Sequence, residues 1–235
     1  RDGEPVAGMQ ILSRRVLGIR SYYAPRGPWW HDEQALATLV RAAHRRLAWR
    51  APFLRTDPLV ADAAPLTRLG FRPAPRQIQP KASIVVDLTR SPEAILNGFD
   101  RQVRYNARLA QRKGVEVTRG GAESVETFWN LLAGTATRKG FAERDLSYFQ
   151  RLVQVYGEGA PIFLAHRAGE LLYGALIVAY GHLAYYLYGA SGGDRSAKPS
   201  ELVQYEAMCW AKARGVTRYD MWGIPAHPTE HNPLY

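Results

Sequence analysis

The sequence has one cysteine in 235 residues, which excludes an internal disulfide framework and any all-cysteine zinc cluster and fits a reducing compartment. No apolar run approaches the ~18–20 residues that a membrane-spanning helix needs, and no secretory-signal pattern is present. His-Glu-x-x-His and Gly-x-Ser-x-Gly are both missing, so zinc-protease and serine-hydrolase chemistry have no support. His227 and His231 flank prolines without metal-ligand spacing, and no metal or cofactor is expected. Carboxylates are also short. The 21 Asp+Glu stand against 31 Lys+Arg, a formal net charge of +10. That balance points to an anionic partner: nucleic acid, a phosphorylated substrate or a membrane surface. The composition, 46% hydrophobic and 22% charged, excludes a disordered chain. The chain opens at Arg1 rather than Met, and a longer parent protein is expected.

What is present repeats. Gly3-Glu4-Pro5-Val6-Ala7-Gly8-Met9-Gln10-Ile11-Leu12 aligns with Gly169-Glu170-Leu171-Leu172-Tyr173-Gly174-Ala175-Leu176-Ile177-Val178, with Gly, Glu, Gly and Ile identical. Tyr22-Tyr23 answers to Tyr185-Tyr186, and a helical pattern over 32–50 answers to one over 199–214. Each copy then carries Arg-x-Asp, at Arg55-Thr56-Asp57 and Arg218-Tyr219-Asp220. Features in one order at nearly constant offset imply a duplicated domain. Residues 83–167 precede the Gly-Glu hairpin of the second copy, and only Arg1 and Asp2 precede that of the first. The expected division is therefore 1–82, the C-terminal part of a first domain, and 83–235, a second domain lacking its C-terminal end.

In the second copy, Ser-Ile-Val-Val-Asp-Leu at 83–88 predicts a strand. Ser91-Pro92-Glu93 predicts a helix start and Gly114 its stop, with Ile95, Phe99, Val103, Ala107 and Ala110 on one face. Strands are predicted at 115–118, 162–166, 171–180, 184–190 and 217–223, and helices at 124–139, 146–156 and 200–214. The order β-α-β-α-α-β-β-β-α-β is an α/β class, an α+β arrangement on a mixed sheet. It resembles the GCN5-related N-acetyltransferases, here in tandem. Acyl-CoA-dependent members of that superfamily hold pyrophosphate on a Gln/Arg-x-x-Gly-x-Gly/Ala turn at a helix N-terminus. The stretch at 189–199, Gly-Ala-Ser-Gly-Gly-Asp-Arg-Ser-Ala-Lys-Pro, carries no such motif, and Pro199 removes a donor. Either the donor is not acyl-CoA or the site is degenerate.

A second resemblance is more specific. Tyr23-Ala24-Pro25-Arg26-Gly27-Pro28, Asp57-Pro58, Gly70-Phe71-Arg72-Pro73, Gln79-Pro80, Arg104-Tyr105-Asn106-Ala107-Arg108, Thr137-Arg138-Lys139-Gly140-Phe141, Tyr186-Leu187-Tyr188-Gly189-Ala190-Ser191 and Tyr219-Asp220-Met221-Trp222-Gly223-Ile224-Pro225 occur in that order. Together they resemble the FemABX family of peptidoglycan interpeptide-bridge aminoacyltransferases. The resemblance implies transfer of an amino acid from aminoacyl-tRNA to the stem-peptide amine of a UDP-MurNAc-pentapeptide or lipid-linked precursor. It also implies a cytoplasmic protein, in peripheral contact with the inner face of the membrane where the acceptor is lipid-linked. The family's Phe-Lys near the C-terminus, whose ammonium supports the chemistry, has no counterpart before Tyr235.

The residues suit an anionic acceptor. Arg144 and Tyr148 are four apart, a spacing that puts a guanidinium and a phenol on one helix face. Tyr186 and Tyr188 flank Leu187, so on a regular strand both phenols point the same way. By the resemblance, Arg144, Tyr148 and Tyr188 fall on positions that hold the acceptor, and Asp57 on an acceptor-side position of the first domain. The plainer alternatives are a surface ion pair for Arg144, beside Glu143 and Asp145, a turn cap for Asp57, and sheet packing for Tyr185, Tyr186 and Tyr188. Arg101, Arg104, Arg108 and Arg112 recur at helical spacing without interleaved carboxylates, a stripe suited to a tRNA phosphate backbone or simply to solvent, with Arg104 or Arg108 turned inward to brace the sheet as the alternative their place in the Arg-Tyr-Asn-x-Arg tag allows. Two rival functions stay open: an acyl-CoA-dependent N-acyltransferase and a non-catalytic RNA- or cell-wall-binding module.

Overall fold

The computed structural model describes residues 3–16, 18–47, 52–76, 78–80, 82–192 and 194–224. His227 and His231 lie outside them. The chain divides into two compact units, Arg1–Pro80 and Lys81–Tyr235.

In the first unit, β1 (Ala7–Gly8), β2 (Leu12–Val16), β3 (Ile19–Arg26) and β4 (Trp29–Trp30) precede α1 (Glu33–Leu47), β5 (Leu54–Pro58) and α2 (Ala64–Arg68). Asp32 starts α1 by accepting the Ala35 N–H at 2.8 Å. Glu33 in the first turn and His44, Arg45 and Arg46 in the last complement the helix dipole. The predicted 32–50 helix is present through Leu47, and positions 48–50 lie outside the described residues. β2 and β3 form an antiparallel hairpin, while β3 and β5 run parallel, so α1 is the crossover that a parallel pair requires. β1 pairs with β4.

The second unit runs β6 (Ala82–Asp87), α3 (Pro92–Gly98), α4 (Arg101–Arg112), β7 (Glu116–Gly120), α5 (Val125–Lys139), α6 (Leu146–Tyr156), β8 (Ile162–Arg167), β9 (Glu170–Tyr180), β10 (Leu183–Ser191), α7 (Pro199–Ala213) and β11 (Arg218–Ile224). Its six-stranded sheet is ordered β6-β11-β10-β9-β8-β7 and is mixed, because β10 and β11 run parallel among antiparallel neighbours. The step from hairpin through helix to parallel strand thus occurs twice, as β2-β3-α1-β5 and as β9-β10-α7-β11.

Both faces of the larger sheet are covered, which is why β9 reads as a continuous apolar run. Ala175 and Ile177 face a core with Phe163, Met208, Trp210 and Tyr219, on the side of α7. Leu176 and Val178 face a second core with Phe128, Leu132, Phe149 and Val153, from α5 and α6. The period-2 alternation of one strand feeds two cores.

One predicted helix is two. Phe99 is extended, at φ −77° and ψ 161°, and Asp100 starts α4 by accepting the Gln102 N–H at 2.7 Å. Ser91 starts α3 in the same way, accepting from Ala94 N–H at 3.2 Å. The 91–113 segment held two start signals, and Gly98 with Asp100 is the second. Ile95, Ala107 and Ala110 are buried as the periodicity predicts.

The pairing of β10 with β11 spans Leu183–Tyr185 and Arg218–Asp220 and stops there. β11 continues on its other side, with Gly223 opposite Ser83 and Ile224 opposite Ala82. Asp220, which is buried, accepts from the Ser83 hydroxyl and from Trp222 N–H, fixing the irregular turn of β11 at the point of divergence.

Candidate functional site

β10 carries the centre of the site. Tyr186 lies opposite Ile177 and Tyr188 opposite Leu176, so Leu187 is an extra residue in the strand, a β-bulge. The extra residue sends the two phenols to opposite faces. Tyr186 packs into the core on the α7 side and Tyr188 into the one under α5 and α6. This corrects the expectation of a shared face, since the alternation that carried it holds only for a regular strand.

Tyr186 is a packing residue. Its hydroxyl lies 2.7 Å from that of Tyr173, and burial pushes both phenols above their ordinary range. The neighbouring Tyr219 hydroxyl donates to Gln204 Oε1 at 2.8 Å. Gly189 closes over the pair: a Cβ there would overlap both the Tyr186 and Tyr173 hydroxyls.

Tyr188 meets the other two predicted residues. Its hydroxyl donates to the Tyr148 hydroxyl at 3.3 Å, and the Arg144 guanidinium carbon lies 5.6 Å from the Tyr148 ring centroid. Phe149 is fully buried and supports both rings edge-on, with centroids 4.9 Å from Tyr188 and 5.3 Å from Tyr148. Arg144 is not on the helix, because α6 starts at Leu146. It sits in the preceding loop, where Trp129 Nε1 donates to its carbonyl oxygen at 2.9 Å. The helix-face argument therefore gives the right neighbours through the wrong geometry. No ion pair among the described residues involves Arg144, so its guanidinium serves the tyrosine rather than Glu143 or Asp145. Burial pushes the Tyr188 phenol up, the bond to Tyr148 pushes further, and Arg144 pulls back. The cluster is a guanidinium and two phenols, with no carboxylate among these contacts. Trp129 and Phe149 were missed from the sequence, where each reads as a core aromatic.

The loop after β10 spends several of its amides inside the protein. Ser191 N–H donates to Thr135 Oγ1 at 3.0 Å, Gly192 N–H to Leu172 O at 2.7 Å, Ser196 N–H to Asp194 Oδ1 at 2.7 Å and Lys198 N–H to Arg195 O at 3.1 Å. Pro199 has none to give. Hydrogen bonds from Ser196 hold the Asp194 carboxyl below its usual range, which keeps a negative charge in the loop ahead of α7. Four amides of that loop are thus engaged within the protein rather than open to an anion.

The arginine stripe is shorter than the sequence implies. Arg104 is half-buried and donates from Nη1 to Asn97 O at 3.1 Å and to Phe99 O, bracing the turn between α3 and α4. Arg101, Arg108 and Arg112 remain exposed, and Arg112 lies 5.6 Å from the Tyr105 ring centroid. Asp57 belongs to the first unit, on β5. It accepts from the Tyr23 hydroxyl at 3.2 Å and borders a cavity of about 1090 Å³ with His44, Arg55, Thr67 and Arg72. Burial raises the Tyr23 phenol, and the Asp57 carboxylate raises it further. Among the described residues no group of His, Cys, Asp and Glu is arranged to hold a metal ion.

The second unit is a mixed sheet whose parallel strands part after Tyr185 and Asp220 and whose α5–α6 side carries a cationic, phenol-lined cluster, and the relatives that match it are named transferases. The FemAB family model matches residues 69–169, which include Arg144 and Tyr148. The UDP-N-acetylmuramoylpentapeptide-lysine N(6)-alanyltransferase of Weissella viridescens is 30% identical over 249 residues, covering 97% of this chain and 74% of that protein. The lipid II:glycine glycyltransferase of Staphylococcus saprophyticus is 27% identical over 316 residues, covering 100% of this chain and 76% of that protein. The crystal structure of FemX superposes with a TM-score of 0.85 at 26% identity, over 99% of this chain and 80% of that one. The chain belongs to the FemABX family.

Proposed function

We propose that this chain moves an amino acid from aminoacyl-tRNA onto the stem-peptide amine of a peptidoglycan precursor. The observation that carries the acceptor half is the Arg144–Tyr148–Tyr188 cluster, a guanidinium and two phenols in contact, in a chain whose relatives are named for UDP-linked and lipid-linked acceptors. Arg144 supplies a charge and the phenols supply neutral donors, a set matched to diphosphate oxygens. The acceptor amine, an ammonium near pH 7 with a pKa of about 10.4, must lose a proton before it attacks the ester carbonyl carbon. The C–N bond then forms, an oxyanion develops, and the C–O bond to the ribose breaks as that oxygen takes a proton.

The four engaged amides of the 191–198 loop and the Asp194 carboxylate speak for a donor other than acyl-CoA. Arg101, Arg108 and Arg112 span about 16 Å of α4 at 1.5 Å per residue, which suits an extended polyanion. Binding that neutralises phosphates weakens with salt, so changing Arg101 and Arg108 together to Gln should flatten the log–log salt slope by about two phosphate equivalents, ~0.7–0.9 each. Among the described residues no helix is long and apolar enough to cross a membrane, and contact with a lipid-linked acceptor is read as peripheral.

The test is label transfer. The natural gene product should move a radiolabelled amino acid from charged tRNA onto a muramyl-pentapeptide precursor. Transfer from acetyl-CoA to a simple amine, with none from tRNA, would overturn the reading.

A further inference from the structure

The β2–β3 hairpin outruns its sheet. β5 pairs with β3 from Tyr22 to Arg26, so Ile19, Arg20 and Ser21 pair with β2 alone. Three residues at ~3.4 Å each make a two-stranded finger about 10 Å long. Arg15 and Arg20 face each other directly across it, and Arg14 stands opposite Ser21 one rung away. All three arginines are exposed, and among the described residues none has an ion pair or a side-chain hydrogen bond. Like charges placed directly opposite destabilise a strand pair. Arginines on an edge strand do discourage sheet-to-sheet pairing, and that alone would explain them.

It does not explain the tip. Ile19 is 61% exposed and Leu12, farther down the same hairpin, 49%. The two residues joining the strands in the sequence, Leu17 and Gly18, bring no polar side chain. An exposed isoleucine among unpaired guanidiniums matches a surface that is apolar within and anionic at its rim. A bilayer of anionic lipid is such a surface. A nucleic acid would satisfy the arginines and leave the tip unused, since bases are held by stacking on aromatic rings and none lies between Leu12 and Ser21.

We propose that the β2–β3 finger is the contact for an anionic lipid bilayer, with Ile19 entering the acyl boundary and Arg14, Arg15 and Arg20 meeting lipid phosphates. This deepens the peripheral contact of the reading above. Its test uses neither donor nor acceptor, so it fails separately from the catalytic assignment.

The 235-residue chain is sedimented with vesicles of phosphatidylglycerol and phosphatidylcholine, and with vesicles of phosphatidylcholine alone. Binding is expected on the first and not on the second. An arginine near an anionic surface contributes about 1 kcal/mol, or roughly fivefold, so Arg15→Gln with Arg20→Gln should lower the partition coefficient about thirtyfold. The melting temperature should hold or rise, because a like-charge pair is removed. Ile19→Ser keeps every charge and should also weaken binding. Retention of binding by both variants, absence of wild-type binding, or equal binding to the two vesicle types would overturn the proposal. A double variant that loses tRNA affinity and keeps vesicle binding would make the finger a nucleic-acid contact instead.

Discussion

Two pairs of tyrosines meet through their hydroxyls in the second unit, and they do opposite work. Tyr173 and Tyr186 lie 2.7 Å apart within the core on the α7 side. Tyr148 and Tyr188 lie 3.3 Å apart on the other face, beside the Arg144 guanidinium. Tyr186 and Tyr188 are two residues apart on one strand, and the bulge at Leu187 alone separates their roles. Residue type does not distinguish a phenol closed in the core from one at an open edge. What surrounds it does: Gly189 and a second buried phenol in one case, a guanidinium and a half-open edge in the other.

The comparison is tested most severely at Phe149, whose fully buried ring carries both members of the open pair and neither member of the closed one. Phe149→Ala is expected to cost about 3–5 kcal/mol of stability, the range for an emptied aromatic site, and to weaken acceptor binding as Tyr188 loses its support. Denaturant unfolding and calorimetry with the nucleotide-pentapeptide measure the two effects. A variant with undiminished acceptor affinity would detach the open pair from the site.

Arg144→Ala comes next. Losing a charge-assisted hydrogen bond should weaken acceptor binding by ~1.5–3 kcal/mol. Its melting temperature should barely move, because the side chain supports little of the core. Equal affinities for wild type and variant would return Arg144 to an ordinary surface arginine.

The matched pair of single-atom changes is smaller and more diagnostic. Tyr186→Phe removes one hydrogen bond of the buried Tyr173 hydroxyl, which keeps Gln204, and should cost about 0.5–1.5 kcal/mol of stability, with acceptor affinity unchanged. Tyr188→Phe removes a hydroxyl at the open edge and should cost about 0.5–1.5 kcal/mol of binding, with little change in melting. A reversed pattern would mean that the bulge does not sort the two phenols as described.

These residues also mark where the sequence stops being legible. The strands and helices of the second unit follow from β-branched runs, apolar periodicity and start signals such as Ser91-Pro92-Glu93, all of them local. The break at Phe99-Asp100 was local too, and was hidden because Ile95, Phe99, Val103 and Ala107 keep an unbroken helical period across it. The bulge at Leu187 has no local signature. It exists only as a register between β10 and β9, which one strand's sequence does not contain. Arg104 is similar: its spacing fits the stripe, and only the turn between α3 and α4 shows the carbonyls that hold it. Composition points to an anionic partner, but which arginines remain exposed depends on the folded backbone.

The smallest expected effect is none, and it concerns pH. Burial raises Tyr188, and likewise Tyr173, Tyr186 and Tyr219, above the ordinary phenol value near 10. All four therefore stay protonated between pH 7 and 9, and Tyr188 remains a donor. Neither acceptor affinity nor melting temperature should change over that interval on their account. Above pH 10 the two states part. Unfolded tyrosines release their protons near 10 while the buried ones keep theirs, so the folded state binds more protons and stability falls as pH rises. The loss begins at the unfolded value and continues through the raised folded values, at about 1.4 kcal/mol per pH unit for each phenol still protonated only in the fold. Melting curves from pH 7 to 11 should run flat and then drop. Replacing Tyr186 by Phe should soften the drop by removing one of those protons, and an unchanged drop would show that Tyr186 titrates like a solvated phenol.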